Sequence, residues 1–429
     1  MPFPCAIGIL YKMIQPFFRL QICSSLYITY DGLMDPLGAS QILPYIKAIA
    51  VREGPLHVLS FEKKVSVGKK IDILRKELAY SRISWTPLSF TSSAGILGKT
   101  YDLLRMYIVS VFLVYAVKPC LVHCRGHAPA QVGAFLKGFL GIKLLFDFRG
   151  LWVDERVDKG LWNLAFAAHR YQYSYWKEIE RGLLKVADHV VVLTDAVVPE
   201  VMKLGANDRD RITVIPCCAD YKTFRVASPA SRQKARIELD LPETSLVLGY
   251  SGSLGRMYLA DRFLHLLHES VKTDNKVYAL ILTPQKNDFV NLINEVLPEE
   301  IRSRIRIHSA SRQQVAAWMS AIDILVCFIA PSYARLGTSP TKLAEAWASG
   351  IPAICNSGVG DVDKLVQRID GGIVISDLSD YQLGKVAQEL SKVISKRGER
   401  LRSVSKPKLS LEVATERYLK VYRFLLKQC

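Results

Sequence analysis

Short apolar runs alternate with longer amphipathic segments along most of the chain. The short runs have the length and residue content of buried strands, and helix-period segments separate them. In the first half these strand-like runs are Leu26–Tyr30, His57–Phe61, Cys120–Cys124, Lys143–Phe148, His189–Leu193 and Arg211–Ile215. In the second half they are Leu246–Tyr250, Val277–Leu282, Arg304–Ile307, Ile322–Phe328, Ile351–Cys355 and Gly372–Ile375. Repeated strand–helix–strand units predict an α/β fold with parallel sheets covered by helices on both faces.

A polar stretch, Ser228–Lys234, interrupts this alternation. We therefore predict two doubly wound, Rossmann-like domains at residues 1–225 and 240–410, and a C-terminal helix at 411–429 that crosses back to the first domain. Ligands of such sheets bind beyond the carboxyl ends of the strands, so two facing sheets predict an interdomain cleft. The apolar run Tyr107–Val117 gives about 16 Å of helix against the roughly 30 Å of a bilayer core. It predicts a buried helix and not a membrane span.

The balance of charge favours a polyanionic partner. The 429 residues include 57 basic and 40 acidic side chains, a net charge of +17, which suits nucleic acid, an anionic membrane face or a phosphorylated substrate. A basic cluster between Lys63 and Lys76 is read either as a solvated helix face or as a membrane-surface patch. Residues 1–20 are read either as an interfacial anchor or as an extension before the first strand.

Nine cysteines without a CxxC pair indicate small core residues in a reducing compartment, and no zinc site.

Two loops that follow strands have the composition of anion sites. Glycine lets the backbone approach a ligand, and a helix start offers unpaired N–H groups. The loop after the first strand contains Gly38 and Ser40, and the loop after Tyr250 contains the candidates Gly252, Ser253, Arg256 and Tyr258. The alternative reading is a plain turn for the first loop and a Gly/Ser turn with a solvated arginine for the second.

The segment Ser339–Glu345 has the pattern of a helix start. We expect Ser339 to cap the helix, with Pro340 and Thr341 in its first turn. Lys342 would then place a cation against the helix dipole, which suggests a nearby anion. Glu345 could accept hydrogen bonds from the hydroxyls of a ribose. The alternative is that both side chains are ordinary surface residues.

The sequence resembles the retaining glycosyltransferases of family four, which have the GT-B fold of two facing Rossmann-like domains. The stretches that carry the resemblance are TYDGLMDPLGASQILPYI, LVHCRGHAPAQVGAF, FDFRGLWVDE, VIPCCADYKTF, GYSGSLGRMY and SPTKLAEAWASGIPAICNSGVGD. The resemblance implies transfer of a sugar from a UDP- or GDP-linked donor on the second domain to a glycan or lipid-linked acceptor on the first. It implies no cofactor and a role in polysaccharide biosynthesis.

Some family positions are matched and others are not. Glu345 matches the glutamate that binds the donor ribose, whereas Gly337 stands where the family often has a second glutamate. Ser253 and Tyr258 replace the arginine and lysine that hold the donor diphosphate. We therefore expect Arg256, Lys342 or backbone amides to bind it.

The resemblance also indicates candidates for the sugar and acceptor site, with structural ion pairing as the alternative for each. Arg149 stands where many members have a histidine; the other candidates are Asp154, Glu155, Arg125 and His127. No metal is expected, since the two DxD triplets, Asp208–Asp210 and Asp361–Asp363, lie in a polar turn and at a helix start.

Two other functions fit parts of the sequence. A nucleotide-sugar epimerase would share the architecture, and a basic nucleic-acid-binding protein would share the charge but lacks a recognisable motif. We expect a cytoplasmic protein that lies peripherally on the inner face of a membrane and binds no nucleic acid. Phe17, Phe18 and Arg19, together with the basic cluster, suggest this location.

Overall fold

The chain folds around two parallel β-sheets in a computed structural model that describes residues 24–63, 69–91 and 95–428. The first sheet contains β1 (Ser25–Thr29), β2 (Leu56–Glu62), β3 (Ile83–Ser89), β4 (Leu121–Arg125), β5 (Lys143–Asp147), β6 (His189–Val192) and β7 (Ile212–Val214). The second contains β8 (Leu246–Ser251), β9 (Val277–Leu282), β10 (Ile305–His308), β11 (Ile324–Cys327), β12 (Ala353–Asn356) and β13 (Gly372–Ile375).

Nineteen α-helices are described. Those up to the second sheet are α1 (Pro36–Gln41), α2 (Leu43–Glu53), α3 (Lys69–Tyr80), α4 (Gly95–Val117), α5 (His127–Leu140), α6 (Trp152–Asp158), α7 (Ala167–Val186), α8 (Val198–Leu204) and α9 (Pro229–Glu238). The others are α10 (Ala260–Thr273), α11 (Lys286–Val296), α12 (Glu299–Arg302), α13 (Arg312–Trp318), α14 (Thr341–Ala348), α15 (Val362–Ile369), α16 (Asp380–Gln388), α17 (Leu390–Ile394), α18 (Glu399–Leu409) and α19 (Leu411–Leu426). Short 3₁₀ turns lie at Arg209–Arg211, Met319–Ala321 and Tyr333–Gly337.

The order of the strands is that of doubly wound sheets. The first sheet runs β3-β2-β1-β4-β5-β6-β7 and the second β10-β9-β8-β11-β12-β13. Neighbouring strands pair in parallel, as in β1 with β4 and β8 with β9. In each sheet the direction of the crossovers reverses beside the first strand, which creates a crevice at the carboxyl ends of the strands. The predicted pair of Rossmann-like α/β sheets is confirmed.

The two compact units of the chain do not coincide with the predicted domains at 1–225 and 240–410. Among the described residues, one compact unit comprises those up to Asp147, Leu183–Val190 and those from Tyr418 onward, and the other comprises Phe148–Gly182 and Val191–Arg417. The final part of α19 therefore belongs to the first unit. There the hydroxyl of Tyr422 lies 2.9 Å from His123 Nδ1.

Helices α3 and α4 cover opposite faces of the first sheet. Leu74 and Leu78 of α3 pack in a core cluster with Val58 of β2, whereas Arg105 of α4 lies 5.9 Å from the ring of Phe61 on the same strand. Because successive strand side chains alternate between faces, positions 58 and 61 point in opposite directions. A right-handed crossover from β3 back to β4 requires the same placement.

The prediction that the apolar run before β4 forms a buried helix is wrong. The helix is longer than the run: α4 has 23 residues, and its part Leu97–Val117 is, within the described residues, the one helix long and apolar enough to cross a membrane. Only 22% of its apolar stretch is buried. The run Tyr107–Val117 was too short a window to show which face of the helix is apolar.

Cysteines mostly serve as small core residues. Cys124, Cys327 and Cys355 lie in strands as free, buried thiols. Burial raises the pKa of the Cys327 thiol, which leaves it protonated and unreactive. Cys120 departs from the expectation, because it is disulfide-bonded.

Candidate functional site

A cavity of about 300 Å³ lies in the second unit, at the switch point between β8 and β11. Segments that follow the two strands line it together with the start of α14. Its lining residues are Ser251, Gly252, Met257, Tyr258, Ile329, Thr338, Ser339, Pro340, Thr341, Lys342 and Glu345. We call this space the Lys342 cavity. It has the position in which doubly wound sheets bind nucleotides and the size of a small-molecule site.

Lys342 presents a cation to this cavity without an acidic partner. Its Nζ lies 4.5 Å from the ring centroid of Tyr258 and 5.2 Å from that of Tyr250. Among the described residues, no carboxylate lies within 4.0 Å of this atom. Desolvation lowers the pKa of the Lys342 ammonium, while Cys327 and Glu345 oppose the shift. A desolvated ammonium on the first turn of a helix, held by two aromatic faces, is a site for an anion.

Glu345 lies one turn further along α14 and is almost completely buried. Its Oε1 accepts a hydrogen bond of 3.1 Å from Nη1 of Arg312, at the start of α13. Burial raises the pKa of the Glu345 carboxyl, and Arg312 and Lys342 oppose that rise. Arg312 also stacks 5.4 Å from the ring of Phe224, so the pair is fixed in position. The remaining carboxylate lone pairs can accept hydrogen bonds from a ligand.

Arg312 is a site residue that the sequence analysis missed. It lies on another element, 33 residues before Glu345, and no motif links the two positions. The one local signal is the capping box of Ser311 and Gln314, which marks the start of α13 but says nothing of where Arg312 points.

The loop after β8 supplies part of the expected donor site. Gly252 has a φ of 142°, and a Cβ on it would lie 3.0 Å from Lys342 Nζ, so glycine lets the lysine reach the loop. Tyr258 lies in the cavity wall. Ser253 contributes its carbonyl oxygen, which accepts a 2.9 Å hydrogen bond from the Tyr250 hydroxyl.

Arg256 does not join Lys342. Its side chain is exposed and does not line the Lys342 cavity; a Cβ on Gly160 would collide with its guanidinium. The turn in which Gly255 bridges to Tyr258 turns Arg256 away while it brings Tyr258 inward. The expectation that Arg256 and Lys342 act on one diphosphate therefore receives no support from the geometry.

The segment Ser339–Thr341 begins the helix one residue later than expected. The residue before α14 is Pro340, and Thr341 is the first helical residue. Ser339 is not the cap: its hydroxyl oxygen accepts a 3.1 Å hydrogen bond from the backbone N–H of Cys217. All three residues nevertheless line the Lys342 cavity.

Arg149, Asp154 and Glu155 also lie in the second unit, but in different surroundings. Arg149 donates to Cys217 Sγ at 3.4 Å and is thus next to the backbone that holds Ser339. Asp154 is buried and accepts hydrogen bonds of 2.8 Å from Tyr173 and Lys177, a structural role. Of these two, Arg149 alone is linked, through Cys217, to a residue that lines the cavity.

Glu155 belongs to an ionic group around the buried side chain of Arg335. Its Oε1 lies 3.7 Å from Nη1 of Arg335, and Nη2 of Arg335 lies 3.4 Å from Asp158. The Arg335 side chain is 2% exposed and contacts Met257 and Thr338, which line the Lys342 cavity. Arg335 thus supports the cavity wall from behind, and the sequence analysis missed it.

Four candidates lie in the first unit. Gly38 has no room for a side chain, because a Cβ would come within 2.0 Å of Gly32 O. The Ser40 hydroxyl donates within α1 to Pro36 O at 2.8 Å. Arg125 pairs with Asp31 and Asp147, both at 3.3 Å, and His127 is buried against the Phe146 ring. Packing explains Gly38, and ion pairing explains Arg125.

Both acidic triplets contribute side chains to structural hydrogen bonds. Asp361 accepts backbone hydrogen bonds from Asp195 and Ala196, and Asp208 accepts one from Asp210. Within the described parts of the chain, no group of three or more His, Cys, Asp or Glu side chains is arranged to hold a metal ion.

Part of the chain matches a known protein family. Residues 231–405, which include the Lys342 cavity, match the model of the family described as glycosyl transferases group 1. No curated protein matches the chain. The chain is a glycosyltransferase with the GT-B fold.

Solved structures support the fold over almost the whole chain. A Rickettsia africae glycosyltransferase superimposes with a TM-score of 0.68 at 15% identity, covering 96% of this chain and 100% of the other. Anabaena HepE in complex with UDP and glucose gives 0.66 at 15% identity, with 93% and 99% covered. WaaG, a glycosyltransferase involved in lipopolysaccharide biosynthesis, gives 0.62 at 15% identity, with 93% and 99% covered. These three proteins share the fold of this chain at low sequence identity.

Proposed function

We propose that this glycosyltransferase is a retaining enzyme of family four that takes its sugar from a UDP- or GDP-linked donor. The observation that carries the proposal is the unpaired ammonium of Lys342 in the cavity, one helical turn before the buried carboxylate of Glu345. An anion site and a hydroxyl-accepting site at this spacing suit the diphosphate and the ribose of one nucleotide. Anabaena HepE, of similar fold, was crystallised with UDP and glucose.

The donor diphosphate is assigned to Lys342 and the first turn of α14. Backbone N–H groups at a helix start bind phosphate, and Gly252 lets the β8 loop come close. As the glycosidic bond breaks, negative charge grows on the departing diphosphate. A cation held in place before the reaction stabilises that charge without reorganisation.

Arg149 remains the candidate for the reacting sugar, because it is tied through Cys217 to Ser339 in the cavity wall. Retention of configuration then proceeds by attack of the acceptor on the same face from which the diphosphate departs, as the resemblance to family four implies. No enzymatic nucleophile is assigned.

The acceptor is proposed to be a glycan or a lipid-linked saccharide at the cytoplasmic face of a membrane. WaaG, which shares the fold, is involved in lipopolysaccharide biosynthesis. The net charge of +17 suits an anionic leaflet. Of the predicted basic cluster, Lys63 pairs with Asp35 and Arg75 with Asp72, so part of its charge is neutralised; Lys64, Phe17, Phe18 and Arg19 lie outside the described residues.

A ligand series tests the donor assignment. UDP, UMP and uridine, and the guanosine equivalents, are titrated calorimetrically into the wild type and into Lys342→Gln. Loss of a charge-assisted hydrogen bond costs about 1.5–3 kcal/mol. We expect this loss for the nucleoside diphosphate, a smaller one for the monophosphate, and none for the nucleoside.

Arg256→Gln is the matched control, because it removes one cation from the exposed end of the β8 loop. It should leave the affinity for UDP and GDP unchanged. Equal losses for all three ligands in Lys342→Gln, or equal losses in the two variants, would contradict the assignment. With a glycan acceptor, the anomeric configuration of the product, read by NMR, then tests retention.

A further inference from the structure

Helix α4 presents large apolar side chains to the outside of the first unit. Six of them are between 48% and 79% exposed: Leu97, Tyr101, Leu104, Ile108, Phe112 and Tyr115. They recur every three or four residues, so they form one continuous stripe along the helix. Single exposed apolar residues are ordinary on a protein surface, but a contiguous stripe of this kind marks an interaction site.

The inward face of the same helix carries a mixture of apolar, small and polar side chains. Gly98, Asp102, Met106, Ser110 and Val114 point inward and are buried. Many of the large apolar side chains of this helix therefore point outward, in contrast to the usual amphipathic pattern of a surface helix. Burial of its apolar side chains within the first unit does not explain this helix.

Asp102 fixes α4 to the first unit. Its Oδ2 accepts hydrogen bonds of 3.0 Å from the Tyr30 hydroxyl and 2.9 Å from the Thr91 N–H, and its Oδ1 accepts one of 3.3 Å from Arg105. Crossing a bilayer would require this buried carboxylate to give up its partners in hydrocarbon, which is costly. The helix therefore stays on the surface, with the stripe facing outward.

The apolar surface continues onto α5. The ring of Tyr107 contacts that of Phe135 at 5.5 Å, and Phe135 contacts Phe139 at 4.6 Å. Phe139 is 76% exposed, and Leu140 beside it is 43% exposed. We call the stripe of α4 together with Phe135, Phe139 and Leu140 the α4–α5 surface.

The charges around this surface are positive. Lys99 in the first turns of α4 and Lys118 directly after it are exposed, whereas Arg105, which lies 5.3 Å from the ring of Tyr101, is paired with Asp102. Asp102, which is buried, is the single acidic residue of α4, and α5 has none. Apolar and aromatic side chains with flanking cations have the composition of a helix face that lies in the headgroup region of a bilayer.

We propose that the α4–α5 surface is the part of this chain that enters the interface of an anionic bilayer, which rests on the proposed membrane-linked acceptor. Charge complementarity selects the bilayer over a second copy of the chain. Two such surfaces would bring cations together without opposing acids, whereas an anionic leaflet attracts them.

This surface is distinct from the basic cluster on α3. Leu74 and Leu78 of α3 pack on the face of the first sheet opposite to α4, and Lys70 and Lys76 of α3 are exposed there. The two candidate contacts can therefore be tested independently. An apolar contact persists in salt, whereas a purely basic contact decays with the Debye length.

The test is flotation of the full chain on vesicles of neutral phospholipid with and without an anionic lipid. Leu104→Ser/Phe112→Ser removes the centre of the stripe, and Lys70→Gln/Lys76→Gln removes charge from α3. Tyr381→Ser is the matched control, because it removes a 70% exposed aromatic side chain from α16. UDP binding, measured on each variant, reports on the donor site independently.

We expect the wild type to float with anionic vesicles, with part of the binding retained in high salt. The stripe variant should bind at least tenfold less, with UDP affinity unchanged, and the control and α3 variants should bind as the wild type does. Flotation that is lost only in the α3 variant, or that is the same in the stripe variant, would overturn the proposal. So would a concentration-dependent dimer in solution that the stripe variant abolishes, since a second copy would then cover the surface. Failure of the wild type to bind either UDP or GDP would instead count against the proposed function.

Discussion

The Lys342 cavity and the α4–α5 surface depart from the ordinary distribution of side chains in opposite directions. The cavity, in the second unit, holds an ammonium and a nearly buried carboxylate inside. The surface, in the first unit, holds leucine, isoleucine, tyrosine and phenylalanine outside. Buried charges and large exposed apolar patches are the two informative exceptions to the burial rule. Each therefore needs an explanation outside the packing of the fold.

The difference between the two regions lies in how closely their side chains are fixed. Two aromatic rings hold Lys342, and Arg312 holds Glu345 at 3.1 Å, so the cavity offers charges at set positions to a small ligand. The stripe on α4 is long, and its apolar side chains offer no polar group at a fixed position. A fixed arrangement of charge suits one nucleotide, while an apolar stripe suits an extended partner. The two functions should therefore separate by mutation.

The largest effect is expected from a pair of substitutions that contrast the two faces of α4. Met106 is buried on the inward face, whereas Phe112 is 67% exposed on the outward face. Met106→Ala should lower the free energy of unfolding by about 2–5 kcal/mol, as large-to-small core substitutions do. Phe112→Ala should change it by no more than about 0.5 kcal/mol, as is usual for surface positions. Urea denaturation measures both values.

Equal destabilisation by the two variants would mean that the stripe is buried against the first unit, and the contrast between the two regions would fail. A gain in stability in Phe112→Ala would be consistent with the contrast between the two regions, because an exposed ring contributes little to folding.

The two-sheet fold could be predicted from the sequence. The Lys342 cavity could be predicted only in part, and the α4–α5 surface was not predicted. Strand-like runs and their spacing identified both parallel sheets, because buried strands are short and uniformly apolar. Lys342 and Glu345 were predicted to face a ligand from the pattern of one helix start, since a single element fixes both. Arg312 and Arg335 were not found, because side chains from distant elements meet only in the folded chain.

Two differences between the predictions and the structure have local physical causes. Arg256 was placed with Lys342 by its position in the loop, but the Gly255–Tyr258 bridge sets its direction, and loops have no periodicity to read. The outward stripe of α4 was missed because the segment was judged by the length of one apolar run. The complete helical period would have set Asp102 and Ser110 on the face opposite to Leu104 and Phe112.

The next largest effect is expected for Glu345 in the cavity. Glu345→Ala should lower donor affinity by about 1.5–3 kcal/mol, because hydrogen bonds to a charged acceptor are lost. If the carboxylate binds the ribose, uridine, UMP and UDP should lose affinity by similar factors, in contrast to Lys342→Gln. Calorimetric titration of the three ligands distinguishes the two patterns. Donor binding that is unchanged in a folded variant would remove Glu345 from the site.

Arg312 should affect folding more than its partial exposure suggests. Its side chain is 34% exposed and that of Glu345 is 10% exposed, so Arg312→Gln leaves the more buried charge without its partner. We expect a loss of about 1–3 kcal/mol in the free energy of unfolding at neutral pH, the cost of an unsatisfied buried group. Arg312→Gln/Glu345→Gln should restore part of it, because the neutral amide carries no unpaired charge. If the double variant is less stable than Arg312→Gln, the pair does not have this role.

The smallest effect is expected from pH. A change of pH distinguishes the two regions without removing a side chain from either. Burial raises the pKa of Glu345 above its ordinary value of 4.5 and lowers that of Lys342 below 10.5. Donor binding needs the ionised carboxylate and the protonated ammonium. As the pH falls, affinity should therefore begin to decrease above the ordinary glutamate pKa, and as the pH rises it should decrease before the ordinary lysine pKa. Calorimetry with a UDP-sugar measures both limbs; Glu345→Gln should flatten the acid limb and Lys342→Gln the alkaline limb. The leucine, isoleucine and phenylalanine side chains of the stripe carry no ionisable group, so vesicle binding in high salt should stay constant over the acid limb of the donor-binding curve. A vesicle-binding curve that follows the donor-binding curve would show that the two regions act together.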